Sequence, residues 1–101
     1  MAPKAYWIAR VTVNNQADYD EYRKRNALPF AKYGGKFIVR GGRTENVLGA
    51  PRPHNVVIEF PSFQAALDCA NSPEYQAASH FLKRGCEVDL VIIEGYAGPQ
   101  P

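Results

Sequence analysis

Cysteine, histidine and long apolar runs are all scarce in this sequence, and each scarcity argues against a class of protein. The two cysteines, Cys69 and Cys86, are too few for a disulfide framework or a thiolate metal site. The two histidines, His54 and His80, form no metal-binding spacing, so we expect no metal site. No apolar run approaches the ~18 residues of a membrane span, and the N-terminus lacks a signal-peptide core. We therefore expect a cytoplasmic protein without membrane contact.

An excess of charge of one sign is also absent. The net charge is +2 at pH 7 with scattered basic residues, which argues against a nucleic-acid-binding surface. The densest basic run, Arg23–Arg25, follows three acidic residues of the same predicted helix, as in a solvated helix face matched to the helix dipole. A chain of 101 residues with 46% apolar content fits one domain, 1–101, and the glycine and proline residues at its end predict a flexible tail at 97–101.

The apolar periodicity predicts the element order β-α-β-β-α-β. The first helix begins after Asn14 or Asn15 and ends at Gly34, with a kink or restart expected at Pro29. The second runs from Phe63 to Gly85 with an interruption near Asn71. The predicted strands are Tyr6–Val13, Lys36–Arg40, Val56–Phe60 and Leu90–Tyr96. This order predicts a ferredoxin-like α+β fold, with a four-stranded antiparallel sheet in the order 4-1-3-2 and the helices on one face.

Alternation along the strands assigns side chains to the two faces of this sheet. The face toward the helices is predicted to carry Trp7, Ala9, Val11, Phe37, Val39, Val91 and Ile93. The other face is predicted to carry Ile8, Arg10, Ile38, Arg40, Val57, Glu59, Ile92 and Glu94. This second face is too apolar for free solvent, which predicts a homodimer formed by packing sheet against sheet.

Glu59 and Arg40 are the first candidates for chemistry. A carboxylate half-shielded by apolar strands can act as a general base, with the guanidinium as its electrostatic partner. The alternative is an ion pair inside the subunit interface, which specifies the geometry of a dimer more than it stabilises it. The second interpretation is favoured, and both remain open.

A cavity between the sheet and the helices is the second candidate site. Aromatic walls and guanidinium groups suit a small planar acid or phenol, although core packing explains the aromatic residues equally well. The loop 41–55 is long for a hairpin and supplies arginines to the predicted mouth. The predicted ligand-binding residues are Trp7, Tyr22, Tyr33, Arg43, Arg52 and Tyr75, with His80 as a further catalytic candidate.

Five segments of the chain resemble one known family. They are Tyr6–Ile8, Tyr33–Phe37, Val39–Gly42, Val57–Ser62 and Asn71–Tyr75, and together they are similar to the bacterial domain-of-unknown-function family 1330. The resemblance implies the dimeric α+β barrel superfamily, in which two ferredoxin-like subunits pack sheet against sheet. That superfamily includes cofactor-independent monooxygenases, muconolactone isomerases, haem proteins of the chlorite dismutase kind and small stress or ligand-binding proteins.

The resemblance leaves three functions open. They are a small-molecule-binding dimer without catalysis, a cofactor-independent oxygenase or isomerase, and a structural or stress-associated protein. A haem would need a proximal histidine, for which His80 is the candidate, and a larger pocket than so short a chain builds, so we predict no cofactor. A cavity of at least ~300 Å³ with Tyr33, Tyr75 and an arginine pointing inward would favour the first two functions.

Overall fold

The computed structural model describes residues 3–101, which form a four-stranded antiparallel sheet and three helices. The elements are β1 (Ala5–Val13), α1 (Gln16–Lys32), β2 (Lys36–Arg40), β3 (His54–Phe60), α2 (Phe63–Asn71), α3 (Pro73–Gly85) and β4 (Cys86–Glu94). The strand order is β2-β3-β1-β4, so the predicted ferredoxin-like α+β fold and sheet order are confirmed. Within residues 3–101, no helix has the length and apolar character needed to cross a membrane.

Side-chain caps set the helix ends. The carboxamide oxygen of Asn15 accepts a hydrogen bond from the backbone N–H of Asp18 at 3.0 Å, and α1 then continues through Pro29 as one helix. Ser72 ends α2 and caps α3, where its hydroxyl accepts from the N–H of Tyr75 at 3.2 Å. Pro73 follows at the first helical position, where a missing N–H costs nothing. The interruption predicted near Asn71 is therefore a change of helix.

An aromatic core joins the helices to the sheet. Trp7 is 1% exposed, and its indole N–H donates to the carbonyl of Ala66 at 3.1 Å, which ties β1 to α2. The Trp7 ring meets Phe30 and Tyr75 edge to face, at centroid distances of 5.1 and 4.8 Å. Phe60 at the end of β3 is completely buried beside it. The single tryptophan is thus the centre of the packing between both layers.

A β-bulge in β2 corrects the predicted faces of Val39 and Arg40. Residues that pair directly across two strands share a face of the sheet. Phe37 pairs with Ile58 on the helix side, but after the irregularity Val39 pairs with Val57 and Arg40 with Val56. The extra residue shifts the alternation by one position, so Val39 lies on the side away from the helices and Arg40 on the helix side.

The faces predicted for β4 are also wrong. Ile92 pairs with Trp7 and Glu94 with Ala5, which places both on the helix side, whereas Val91 pairs with Ile8 on the opposite side. Ile93 shares that opposite side and is 50% exposed. The physical reason is that a continuous apolar run carries no alternation from which a face can be read. The four charged residues that the sequence assigns to one face, Glu94, Arg10, Glu59 and Arg40, therefore lie on two different faces.

The side of the sheet away from the helices is called here the open sheet face. It carries apolar side chains that are half-buried or exposed, together with several polar and charged side chains. Val91 is 52% exposed, Val39 43% and Ile8 37%. Its residues are Tyr6, Ile8, Arg10, Thr12, Lys36, Val39, Asn55, Val57, Glu59, Glu87, Asp89, Val91 and Ile93. Ile38, at the bulge, is 52% exposed and has no paired residue in β3.

Residues 41–53 form a loop without helix or strand that is anchored at its C-terminal end. The guanidinium of Arg52 donates to the carboxylate of Asp89 at 2.8 Å and to the hydroxyl of Thr12 at 3.2 Å. The Arg10 guanidinium donates to the carbonyl of Ala50 at 3.2 Å. Residues 45–48 form no strand, and Val47 and Leu48 are almost fully exposed.

Candidate functional site

A cavity of about 190 Å³ lies between α1, α3 and the helix side of the sheet. It is called here the helix-side cavity. Its walls come from all four strands and from two helices, so several elements fix its shape. The lining residues are Trp7, Ala9, Val11, Tyr19, Tyr22, Arg23, Asn26, Phe30, Phe37, Arg40, His54, Val56, Ile58, Tyr75, Leu82, Val88 and Leu90.

Two tyrosine hydroxyls form the polar interior of this cavity. The hydroxyl oxygens of Tyr22 and Tyr75 lie 3.0 Å apart in a hydrogen bond between α1 and α3. Asn26, one turn after Tyr22, is 6% exposed and also lines the cavity. Hydroxyl and carboxamide groups donate and accept, so this interior can hydrogen-bond a polar substituent on a bound ring.

Burial keeps both phenols neutral. It raises the pKa of Tyr75 to about 12, although the hydrogen bond with Tyr22 acts in the opposite direction. It raises the pKa of Tyr22 well above 10, and the neighbouring Tyr75 adds to the shift. Neither hydroxyl is a source of negative charge near neutral pH.

The cavity mouth carries two arginines and a histidine. Arg23 and Arg40 are exposed, and His54 is half-buried with its ring edge to face against Tyr19 at 5.4 Å. The Arg40 guanidinium lies over the Phe37 ring, 4.1 Å from its centroid. Burial first, and then the positive charges of Arg23 and Arg40, lower the pKa of His54 below its ordinary value of 6.5. The imidazole is therefore neutral at pH 7.

Among the described residues, no carboxylate pairs with the positive charges at this mouth. In the part of the chain that the structure describes, no acidic residue lines the cavity. Across residues 3–101, neither Arg23 nor Arg40 forms an ion pair with a carboxylate. The lining is thus aromatic and apolar inside and cationic at the opening. Such a surface favours a planar molecule that carries a negative charge.

Four residues of the sequence prediction line this cavity. Trp7, Tyr22 and Tyr75 are buried in its wall, as the sequence predicts for a site between helices and sheet. Arg40 lies at the mouth, although the sequence places it on the other face of the sheet. The bulge explains the difference, because it turns Arg40 toward the helices.

The remaining predicted residues lie elsewhere. Tyr33 is half-buried at the end of α1, Arg43 is exposed in the loop, and Arg52 holds that loop to Asp89. None of the three lines the helix-side cavity. Their predicted places at the cavity are therefore corrected.

The two other catalytic candidates are also outside the cavity. His80 is exposed on α3 against the Phe81 ring at a centroid distance of 5.3 Å. Glu59 lies on the open sheet face, where one carboxylate oxygen is 3.2 Å from the ammonium nitrogen of Lys4. The predicted pairing of Glu59 with Arg40 is wrong, because the two side chains lie on opposite faces of the sheet.

Three polar residues, Arg23, Asn26 and His54, are among the lining residues that sequence reasoning did not assign to the site. Arg23 and Asn26 follow Tyr19 at intervals of four and seven, so helical periodicity alone places them on the stripe that faces the sheet. His54 continues the alternation of the inward residues of β3 by two positions toward the N-terminus. Within residues 3–101, no group of three or more His, Cys, Asp or Glu residues is arranged to hold a metal ion.

The fold and the helix-side cavity define a ferredoxin-like α+β domain with a cavity between its two layers. Comparison with family models then identifies the family within this class. The model for the domain of unknown function DUF1330 matches residues 4–96, so the chain belongs to that family. The family predicted from the sequence segments is confirmed. No curated protein matches the chain.

Solved structures share the fold at low sequence identity. A protein of unknown function from Rhodopseudomonas palustris has a TM-score of 0.77 at 16% identity, covering 97% of this chain and 86% of that one. A dimeric ferredoxin-like protein of unknown function from Jannaschia sp. CCS1 has a TM-score of 0.67 at 16% identity, covering 91% and 99%.

An enzyme is also among the similar structures. SnoaB, a cofactor-independent oxygenase from Streptomyces nogalater, has a TM-score of 0.65 at 17% identity, covering 96% of this chain and 97% of that one. At such identities the likeness shows the fold alone.

Proposed function

We propose that this protein binds a small aromatic acid in the helix-side cavity. The observation that carries the proposal is that the charged side chains of an aromatic cavity are both arginines, and neither has a carboxylate partner among residues 3–101. A buried ring supplies dispersion and hydrophobic contact, and a carboxylate at the mouth supplies the missing negative charge.

The cavity volume limits the size of the ligand. At about 190 Å³ the cavity is smaller than the ~300 Å³ that we expect from the sequence for a binding or catalytic function, and Tyr33 does not line it, so it does not suit a drug-sized molecule. An apolar cavity of about 150 Å³ in another protein binds benzene, so a space of this size accommodates one ring. We therefore propose a ligand with a single aromatic ring and one acidic group.

Fluorescence of the single tryptophan tests this proposal. Trp7 is the one tryptophan of the chain and lines the cavity, so a ring bound there changes its emission. Titration with benzoate is expected to give a saturable change and to raise the melting temperature by mass action. No change with benzoate, phenol or benzyl alcohol at millimolar concentration would contradict the proposal and favour a structural or stress-associated role.

A cavity-filling variant locates the response. Ala9→Phe places a ring in the lining, so it is expected to abolish the fluorescence change with benzoate. Ala77→Phe is the matched control, because Ala77 is exposed on α3 and does not line the cavity. Circular dichroism of both variants checks that the fold is retained. Equal benzoate responses in the two variants would place binding outside the cavity.

We also propose that the protein is a homodimer formed through the open sheet face. That face exposes four branched apolar side chains, Ile8, Val39, Val91 and Ile93, which together make an aggregation-prone surface on a free monomer. A two-fold mate covers the same surface on both subunits. The ferredoxin-like protein from Jannaschia sp. CCS1, which is described as dimeric, supports this proposal by its shared fold.

Cofactor-independent oxygenation is a second candidate function. His54 favours it, because a neutral imidazole at the cavity mouth can take a proton from an electron-rich phenolic ligand. The likeness to SnoaB supports it at the level of the fold. Oxygen consumption above the rate of autoxidation with one-ring hydroquinones, lowered by His54→Asn, is expected for this function. A rate equal to the autoxidation rate would contradict oxygenase activity and favour a protein that binds its ligand without catalysis.

A further inference from the structure

We infer that the helix-side cavity selects carboxylate-bearing rings over neutral ones, and that the carboxylate binds at the mouth against Arg23 and Arg40 with uptake of a proton by His54. The inference rests on the proposed function and specifies how the ligand is oriented. It makes His54 a positioning and proton-accepting residue of the binding site.

A series of aromatic contacts runs from the mouth to the interior. The ring of His54 contacts Tyr19 at a centroid distance of 5.4 Å, and Tyr19 and Tyr22 follow each other at 6.1 Å. Tyr22 then reaches Tyr75 at 6.1 Å, where the two hydroxyls meet. The cationic groups and the paired hydroxyls therefore lie at different ends of the cavity. A ring with an acid at one end and a polar substituent at the other matches both ends.

The mouth is built to receive an anion. Arg40 stacks on Phe37 at 4.1 Å, and a stacked guanidinium keeps its N–H donors in its own plane, at the edge of the group. Arg23 projects from α1 and Arg40 from β2, so the two cations approach the mouth from opposite layers. A carboxylate between them makes charge-assisted hydrogen bonds that a neutral substituent cannot make.

The groups around His54 make its protonation depend on whether a carboxylate is bound. Arg23 and Tyr19 face it from α1, and Arg40 faces it from β2. Val11 of β1 pairs with it, and Val88 of β4 pairs with Val11, so those strands bring no charge. Burial and the two guanidinium groups hold the pKa of His54 down in the free protein. A bound carboxylate offsets both positive charges, and the imidazole then gains a proton as the complex forms.

Calorimetry in two buffers measures that proton. Benzoate is titrated into the protein at pH 6.5 in MES and in Bis-Tris, two buffers without an aromatic ring whose ionisation enthalpies differ. Proton uptake makes the observed binding enthalpy differ between the two buffers, and His54→Asn is expected to remove the difference. Benzyl alcohol, a neutral analogue of similar size, is expected to show no buffer dependence. Benzoate binding with equal enthalpies in both buffers would overturn the proton uptake.

Charge-removing variants test the orientation. Arg40→Gln is expected to weaken benzoate binding by about tenfold, because a charge-assisted hydrogen bond contributes more than a neutral one. Its effect on benzyl alcohol should stay within the error of the measurement. Arg43→Gln removes the same charge from the exposed loop outside the cavity and is expected to leave both affinities unchanged.

The neutral probe separates the two proposals. Equal affinities for benzoate and benzyl alcohol, or equal losses of both in Arg40→Gln, would overturn the carboxylate selectivity while binding in the cavity stands. Failure of both probes to bind the unmodified protein would overturn the proposed function as well.

Discussion

The Tyr22–Tyr75 hydrogen bond couples two helices inside an aromatic wall. Tyr75→Phe leaves the hydroxyl of Tyr22 buried without this partner, so we expect the free energy of unfolding to fall by about 1–3 kcal/mol. Replacing both tyrosines with phenylalanine removes both polar groups and is expected to cost less than the sum of the single changes. Urea unfolding of the four proteins of this double-mutant cycle measures the coupling. Additive losses would show that the two hydroxyls do not act as a pair.

The same two tyrosines are expected to make the protein less stable at alkaline pH. Tyr75 has a folded pKa of about 12 against 10.0 in a model phenol, and the pKa of Tyr22 is also raised. The unfolded chain therefore loses these protons first as pH rises above about 10, and each tyrosine lowers the unfolding free energy by up to about 1.4 kcal/mol per pH unit. Stability contributed by the raised pKa values is complete below pH 10.

Urea midpoints between pH 8 and 11 measure this alkaline loss. The double variant Tyr22→Phe/Tyr75→Phe is the control, because it keeps the lysines and arginines that also titrate. We expect its midpoint to fall less steeply than that of the unmodified protein. Parallel curves would contradict a role for the buried phenols.

At the residue scale, sequence predicts the wall of the site better than its mouth. Trp7, Tyr22 and Tyr75 belong to regular strand and helix patterns, so periodicity is sufficient to direct them inward. Arg40 could not be placed, because its side depends on a bulge that no residue type in β2 signals. The prediction that loop arginines such as Arg43 lie at the cavity rests on their charge alone. Hydrogen bonds instead hold the loop on the open sheet face, away from the cavity.

Among the elements, the junction of α3 with β4 is packed against the start of α1. The carbonyl of Gly85 accepts the backbone N–H groups of Asn14 and Asn15, at 2.8 and 2.9 Å. A Cβ on Gly85 would lie 2.5 Å from the Cβ of Asp18 and 3.2 Å from the carbonyl oxygen of Asn15. Gly85→Ala therefore forces the two helices apart, although alanine is the better helix former.

We expect Gly85→Ala to lower the unfolding free energy by about 1–3 kcal/mol, as overpacking does elsewhere. Arg84→Ala is the matched control, since it breaks the Arg84–Asp18 ion pair at the surface without adding a Cβ, and solvent screening makes that loss the smaller of the two. Thermal unfolding of both variants makes the comparison. A Gly85→Ala protein as stable as the unmodified one would show that the close approach of the helices is relaxed in solution.

Some boundaries of the helices and strands can be predicted from the sequence, and others cannot. Caps at Asn15, Ser62 and Ser72 are local signals, and the helices begin where these residues predict. β4 begins at Cys86, directly after α3, four residues before the predicted start at Leu90. The charged residues Glu87 and Asp89 alternate with Val88 there, but they lie on the open side of an edge strand, where exposure is tolerated.

For the whole molecule, the open sheet face predicts dimer formation. A specific interface buries roughly 800 Å² or more on each subunit. Val91→Asp places a charge in the apolar part of that face, so we expect a monomer or an aggregate. Leu28→Asp is the matched control, because Leu28 is 66% exposed on α1, away from the sheet.

Light scattering at micromolar concentration measures the molecular mass of each protein in solution. The unmodified protein and Leu28→Asp are expected at twice the 11.2 kDa of one chain. A mass of one chain for the unmodified protein would contradict the dimer. A dimer that survives Val91→Asp would place the interface on another surface.

A crystal structure of the protein grown with benzoate tests the proposed binding site most directly. We expect the ring to lie in the helix-side cavity, bounded by Trp7, Tyr22 and Tyr75. Its carboxylate is expected within hydrogen-bond distance of Arg40 at the mouth. A cavity that stays empty at saturating benzoate, or benzoate bound outside it, would contradict the proposal that this family member holds small aromatic acids between its helices and its sheet.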